Sequence, residues 1–234
     1  MNRVNLYLVF LFVLNSSVVL ASSEDDPSLF GLEIDQLEIR EAGGENVIGF
    51  EGQVWAGADE HKIIIKALGE RYHAETDEAE LQFLYSHAIS VYWDVLVGLR
   101  KDYKPDPTRK WGVIAFEGLA PYFVEVEASL FIGESGRTEL RLEAEHELEL
   151  TQKWTLTPEV EINLAGQNDE EMEVGSGLSD IELGLRLSYE IHQKFSPYIG
   201  LNWEKKFGTT ADYAREDGEK ASDLTLVFGF SAWL

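Results

Sequence analysis

The chain has 234 residues, 43 acidic against 19 basic, a formal net charge of -24, 44% apolar residues and no cysteine. That is enough chain for one sizeable domain. The missing thiols exclude disulfide frameworks, thiolate zinc sites, iron-sulfur clusters and cysteine nucleophiles, and the negative charge repels phosphate backbones, so no nucleic acid is expected as a partner and cations are.

Residues 1–21 differ from the rest. Arg3 is their only charge, Leu6 to Leu14 is an unbroken apolar run, and Val19-Leu20-Ala21 ends on a small residue. This is the pattern of a cleaved secretory signal. Its apolar run is too short for a membrane helix, which needs about 20 residues, and no later stretch approaches that length.

From Leu32 onward nearly every segment alternates apolar and polar residues, and no capping box precedes a 3.6-residue period. The alternation predicts twelve strands, near 32–40, 46–57, 61–69, 78–88, 91–101, 110–118, 122–132, 138–151, 154–165, 178–191, 195–206 and 223–234. Leu32 and Ile34 are out of phase with Leu37 and Ile39, which predicts a bulge in the first strand. The pattern is clearest over 138–150, where Leu140, Leu142, Ala144, Leu148 and Leu150 oppose Glu139, Arg141, Glu143, Glu145, Glu147 and Glu149. The early strands are less regular.

The connections alternate long and short, from Glu41–Glu45 and Ala58–Glu60 to His192–Lys194 and Phe207–Ser222. That rhythm, an even strand count and runs of nine residues or more predict a closed antiparallel transmembrane β-barrel with short periplasmic turns and longer extracellular loops. Strands of soluble proteins cluster near 5 or 6 residues, which disfavours the soluble alternative, a secreted lectin-like or calcium-binding β-sandwich. Tyr122, Trp154, Tyr189, Phe195, Trp203 and Trp233 stand near strand ends, where an interfacial girdle falls, and the last strand runs to the terminus at Leu234. The expected organisation is therefore a signal peptide at 1–21, a short acidic periplasmic segment at 22–31 and an outer-membrane barrel at 32–234, in a Gram-negative bacterium and in contact with outer-membrane lipid.

With the apolar sets facing lipid, the opposite sets face the lumen. They include Glu125 and Glu127, Glu139, Glu143, Glu145, Glu147 and Glu149, Glu159 and Glu161, and Asp180, Glu182 and Glu190, answered on the same faces of those strands only by Arg141 and Arg186. Rings of Asp and Glu make pores cation-selective, so Glu125, Glu127, Glu143, Glu145, Glu147, Glu159, Glu161, Asp180 and Glu182 are the candidate metal-handling residues. The five histidines, His61, His73, His87, His146 and His192, are scattered without ligand spacing on any one strand, and Met172 is the only methionine after Met1.

Several segments in order resemble the copper resistance protein B family. They are Ile34-Asp35-Gln36-Leu37-Glu38, Gly118-Leu119-Ala120-Pro121-Tyr122-Phe123-Val124-Glu125, Leu150-Thr151-Gln152, Gly175-Ser176-Gly177-Leu178-Ser179-Asp180-Ile181-Glu182-Leu183-Gly184-Leu185-Arg186, Phe195-Ser196-Pro197-Tyr198-Ile199-Gly200, and Phe207-Gly208 with Thr210-Ala211-Asp212. The resemblance implies a barrel serving copper resistance, with copper ion as ligand or cargo and with periplasmic copper-resistance proteins as partners. Many members carry a methionine- and histidine-rich stretch before the barrel, whereas Ser22 to Leu29 offers only Glu24, Asp25 and Asp26, so thioether capture of Cu(I) has no support here. The other readings are a general cation-selective pore or structural barrel without copper specificity, and an outer-membrane hydrolase. A hydrolase needs a base and a nucleophile within hydrogen-bond reach, and no serine with an amide partner follows any histidine, so no enzymatic activity is expected.

Overall fold

A computed structural model describes residues 29–42, 45–72 and 75–234. The expected signal peptide and most of the segment at 22–31 lie outside these residues. The described chain is built from strands β1 (Leu29–Ala42), β2 (Glu45–Gly57), β3 (His61–Tyr72), β4 (Glu75–Ala88), β5 (Trp93–Lys104), β6 (Arg109–Ala120), β7 (Val124–Gly133), β8 (Thr138–His146), β9 (Leu148–Glu149), β10 (Trp154–Ala165), β11 (Gly177–Tyr189), β12 (Phe195–Lys206) and β13 (Ser222–Trp233). β8 and β9 are pieces of one stave interrupted at Glu147, and both pair with β10, so the barrel has twelve staves. Every neighbour is antiparallel, and β13 pairs with β1 from Glu33↔Trp233 to Glu41↔Leu226, which closes the sheet. The Leu234 N–H donates to the Leu32 carbonyl at 2.8 Å and the Leu32 N–H returns the bond at 3.1 Å. Closure leaves no unpaired edge, the condition for strands in lipid.

The bulge falls where the phase change placed it: register slips between Ile34 and Gln36 against β2 and between Ile34 and Leu37 against β13. Three features depart from the sequence reading. The staves extend into expected loops, so that residues 43–44 and 73–74 alone separate β1 from β2 and β3 from β4, and long connections appear only after β10 and β12. Tyr122 and Phe123, read as the start of a strand, take left-handed φ of 69° and 61° and form the turn before Val124. The stretch after β12, read as loop, carries helix α1 (Gly208–Glu216). This helix has no side-chain N-cap bond and only nine residues, so its sequence lacks the usual start signal. Tertiary contact supplies what local sequence does not: Thr210, Ala211 and Ala214 are buried, and Thr210 Oγ1 accepts the Gly175 N–H at 2.9 Å.

The outward face carries exposed Phe50, Ile63, Phe83, Leu99, Phe116 and Leu185, as a lipid-facing band requires. The interior is not uniformly polar. Ile64, Leu84, Leu96, Trp111, Val113, Ala115 and Phe131 point inward from β3 to β7 and pack as an apolar cluster, with Trp55 against it. This wall accounts for the irregular early strands: Ile63-Ile64-Ile65 and Val95-Leu96-Val97 are apolar on both faces, so the period of two is blurred.

Candidate functional site: the acidic lumen

In an antiparallel sheet, residues directly opposite have Cβ atoms about 5 Å apart, so register decides which carboxylates are neighbours. Glu117 opposes Glu127, Glu127 opposes Glu143, Glu143 opposes Glu161, Glu161 opposes Glu182, and Glu182 opposes Glu204. Six glutamates on consecutive staves form one lateral row. Because the staves are staggered, the row also climbs: Glu117 is three residues from the short turn after β6, whereas Glu204 is two residues from the end of β12 beneath the long loop. A second row joins Glu125, Glu145 and Glu159. The sequence reading named four rungs of the long row and missed Glu117 and Glu204, whose inward parity was legible but whose alignment with the others needs the register.

Like charges directly opposite are destabilising, so rows of this kind need counter-charge. It comes from across the barrel. Besides Arg141 and Arg186, the interior holds Arg40, Lys66 and Arg100 from strands outside the acidic set. Lys66 Nζ meets Glu127 at 2.5 Å and Glu117 at 3.1 Å. Arg100 Nε meets Asp102 at 2.7 Å and Glu80 at 2.8 Å, while Trp111 donates to Asp102 at 2.7 Å. Arg141 lies 3.2 Å from Glu80, 3.6 Å from Glu161 and 3.9 Å from Glu143. Arg186 bonds Glu159 and, at 3.3 Å, Glu38, which also accepts from Arg40 at 2.6 Å and from the Tyr198 hydroxyl at 2.8 Å. Gly229 makes room for that cluster, since a Cβ there would stand 2.7 Å from both Glu38 and the Tyr198 ring.

These pairs form a belt between two chambers. The chamber toward the short turns has a volume of about 590 Å³, and all of Glu125, Glu127, Glu143, Glu145, Glu147, Glu159 and Glu161 line it. Within it Asp35, Glu51, Glu125, Glu145 and Glu147 have no basic partner at ion-pair distance among the described residues. The chamber toward the long loops, about 300 Å³, is lined by Asp180 and Glu182 together with Glu78, Glu204 and Met172. Glu159 and Glu161 border both. Glu149 and Glu190, expected in the lumen, lie at the short-turn rim and line neither chamber. Among the described residues no three His, Asp or Glu side chains already form a metal-holding group. The arrangement is a track of anionic oxygens, suited to attracting hydrated cations.

The long-loop mouth is tied down by charge. Arg109 donates to both oxygens of Asp169 at 3.1 Å, and Arg137 Nε lies 2.7 Å from the same carboxylate. Burial alone would raise the Asp169 pKa, but the hydrogen bonds and charge of Arg109, with the charge of Arg137, outweigh it and hold the carboxyl below its usual range. The tethered loop, Gly166–Ser176, sets Met172 and Val174 over the upper chamber.

A family model described as copper resistance protein B precursor (CopB) matches residues 28–234. The chain belongs to the copper resistance protein B family. A copper resistance protein B homolog of Pseudomonas syringae pv. tomato is 42% identical over 199 residues, covering 85% of this chain and 68% of that relative. Copper resistance protein B of Escherichia coli is 40% identical over 200 residues, covering 86% of this chain and 68% of the relative. Among solved structures, the NanC porin superposes with a TM-score of 0.58 at 12% identity, over 86% of this chain and 98% of the porin, a likeness of fold. This CopB-family chain is thus an outer-membrane β-barrel of a Gram-negative bacterium.

Proposed function

We propose that the barrel binds copper ions in its acidic lumen and conducts them along the glutamate row between the two chambers. The observation that carries this reading is the climbing row Glu117–Glu127–Glu143–Glu161–Glu182–Glu204, which links one chamber to the other with a carboxylate on each of six consecutive staves. Each rung offers oxygen ligands that substitute for part of an ion's hydration, and adjacent weak sites favour transfer over capture. Lys66, Arg141 and Arg186 keep the rows in register without neutralising them, because the unpaired Asp35, Glu51, Glu125, Glu145 and Glu147 leave a net negative entrance. Copper itself comes from the family, since carboxylates also accept Ca²⁺, Mg²⁺ and Zn²⁺.

On this reading residues 1–21 direct export, the part of the expected segment 22–31 that precedes β1 lies in the periplasm, and the short-turn mouth receives copper from or passes it to periplasmic copper-resistance proteins. The barrel itself performs no catalysis. The test is copper entry into liposomes holding the refolded barrel, against empty liposomes and the triple variant Glu143→Gln, Glu145→Gln, Glu161→Gln. Entry that the variant loses supports the conduit. Entry unchanged in the variant overturns it. The general cation pore, favoured by the lack of any soft ligand along the row, is separated by the same assay: K⁺ and Mg²⁺ entering as fast as Cu²⁺ would mark a pore without copper preference.

A further inference from the structure

Outside the lumen, one pair of metal-ligating side chains is set directly opposite across two strands. His61 opens β3 and His87 lies near the end of β4, and the two are register partners. Both are exposed, on the outer side of the short-turn rim, and their rings stack with centroids 4.8 Å apart and planes 13° from parallel. Inward parity would have put them in the lumen; their outward parity with Ile63 and Tyr85 puts them beside the headgroup zone facing the periplasm.

The second partners of the two rings decide which nitrogens are free. His87 Nδ1 lies 3.2 Å from the Glu60 carbonyl oxygen. A carbonyl only accepts, so Nδ1 carries the proton and the Nε2 lone pair is available. His61 Nδ1 lies 2.6 Å from the Tyr85 hydroxyl, and in the tautomer that donates to that oxygen its Nε2 is available as well. An oxygen acceptor holding Nδ1–H is the usual outer support of a metal-bound histidine, fixing both tautomer and ring direction. The Glu60 carboxylate stands 4.0 Å from His61 Nε2 and adds negative charge on the same side. None of these groups takes part in the belt or lines either chamber.

We propose that His61 and His87 form a surface site for one divalent transition-metal ion, with Cu²⁺ held most tightly, at the periplasmic rim of the barrel. Two imidazole bonds of about 2.0 Å at a right angle set the nitrogens about 3 Å apart, so the exposed rings, stacked with centroids 4.8 Å apart, tilt toward each other to close on the ion. Water completes the coordination, with the Glu60 carboxylate adding negative charge beside it. Imidazole suits Cu²⁺, Ni²⁺ and Zn²⁺, and the general order of stability places Cu²⁺ first. Ca²⁺ and Mg²⁺, which demand oxygen, are excluded, so the rim selects by softness where the lumen does not. The inference stands on its own geometry and does not rest on lumenal conduction.

The test uses the refolded barrel in detergent micelles with CuCl₂ alone, read by electron paramagnetic resonance for nitrogen coupling. The wild type is expected to show two imidazole nitrogens at one equivalent of Cu²⁺. His61→Ala and His87→Ala should each lose that two-nitrogen signature, and Tyr85→Phe should weaken the site about tenfold. The triple glutamine variant of the lumen should keep it. A two-nitrogen signal surviving in both alanine variants, or a wild-type spectrum with oxygen ligands only, overturns the proposal. Liposome entry reads the lumen and nitrogen coupling reads the rim, so the two ideas fail separately.

Discussion

The two sides of the lumen do opposite things with the same β-barrel geometry. From β3 to β7 the inward residues include a packed apolar cluster, Ile64, Leu84, Leu96, Trp111, Val113, Ala115 and Phe131, beside the paired charges of Lys66, Glu80, Arg100 and Asp102. From β7 to β12 they are dominated by glutamates in register, with fewer basic groups than carboxylates. The first side is filled as the core of a soluble protein is, while the second gives up packing for charge. What joins them is the ion-paired belt, in which Arg100 lies over the Phe131 ring at 4.4 Å on the apolar side and 3.5 Å from Glu139 on the acidic side. Apolar packing is thus concentrated on one half and unpaired carboxylate on the other.

The sharpest way to break this division is at the joint. Among the described residues, Arg100→Met leaves Glu80 with Arg141 alone as an arginine partner and Asp102 with no ion-pair partner, in the buried middle of the lumen; loss of one partner of a buried pair costs about 3–5 kcal/mol. Urea unfolding of the refolded barrel should show this as the largest single loss. Next comes Phe131→Ala on the apolar side, where deletion of a buried phenyl ring costs about 3 kcal/mol by the same measurement. Copper entry per folded barrel should fall less there than in the glutamine variant, because Phe131 borders the upper chamber but offers no ligand oxygen.

The triple change Glu143→Gln, Glu145→Gln, Glu161→Gln should do the reverse. It relieves repulsion between opposed carboxylates, so its unfolding midpoint should stay within ~1 kcal/mol of wild type, each cross-strand pair being worth about 0.2–1 kcal/mol, while ion entry falls. A large stability loss in that variant would show that the glutamate row is part of the scaffold. The smallest effect is at the mouth. Because the Asp169 carboxyl is held below its usual range, its contribution is complete above the ordinary carboxylate pKa, about 4, and is lost as pH falls through the lowered value. Hydrogen-exchange protection in residues 166–176, normalised to the intrinsic rate at each pH, should therefore be steady from neutral pH to about 4 and fall below it, and Asp169→Asn should remove that step.

Much of this was legible in the sequence because a strand's side chains alternate strictly. Parity alone placed Glu125, Glu127, Glu143, Glu145, Glu147, Glu159, Glu161, Asp180 and Glu182 in the lumen, and the phase slip before Leu37 located the bulge. Parity failed where both faces are apolar, as in Ile63-Ile64-Ile65, since the inner wall and the lipid face then read alike. It also failed at α1, a nine-residue helix stabilised by burial of Thr210, Ala211 and Ala214 and by no cap of its own.

The sequence by itself determined the alternation, the number of staves, the bulge and the excess of inward carboxylate, because these depend on near neighbours along the chain. Only the tertiary structure decided which charges meet. Lys66 reaches Glu127 across 61 positions and Arg186 reaches Glu38 across 148, and the glutamate row exists only once the register is set. The His61–His87 pair likewise depends on the strands' alignment, as their partners are fixed by hydrogen bonds between staves and not by spacing along either one.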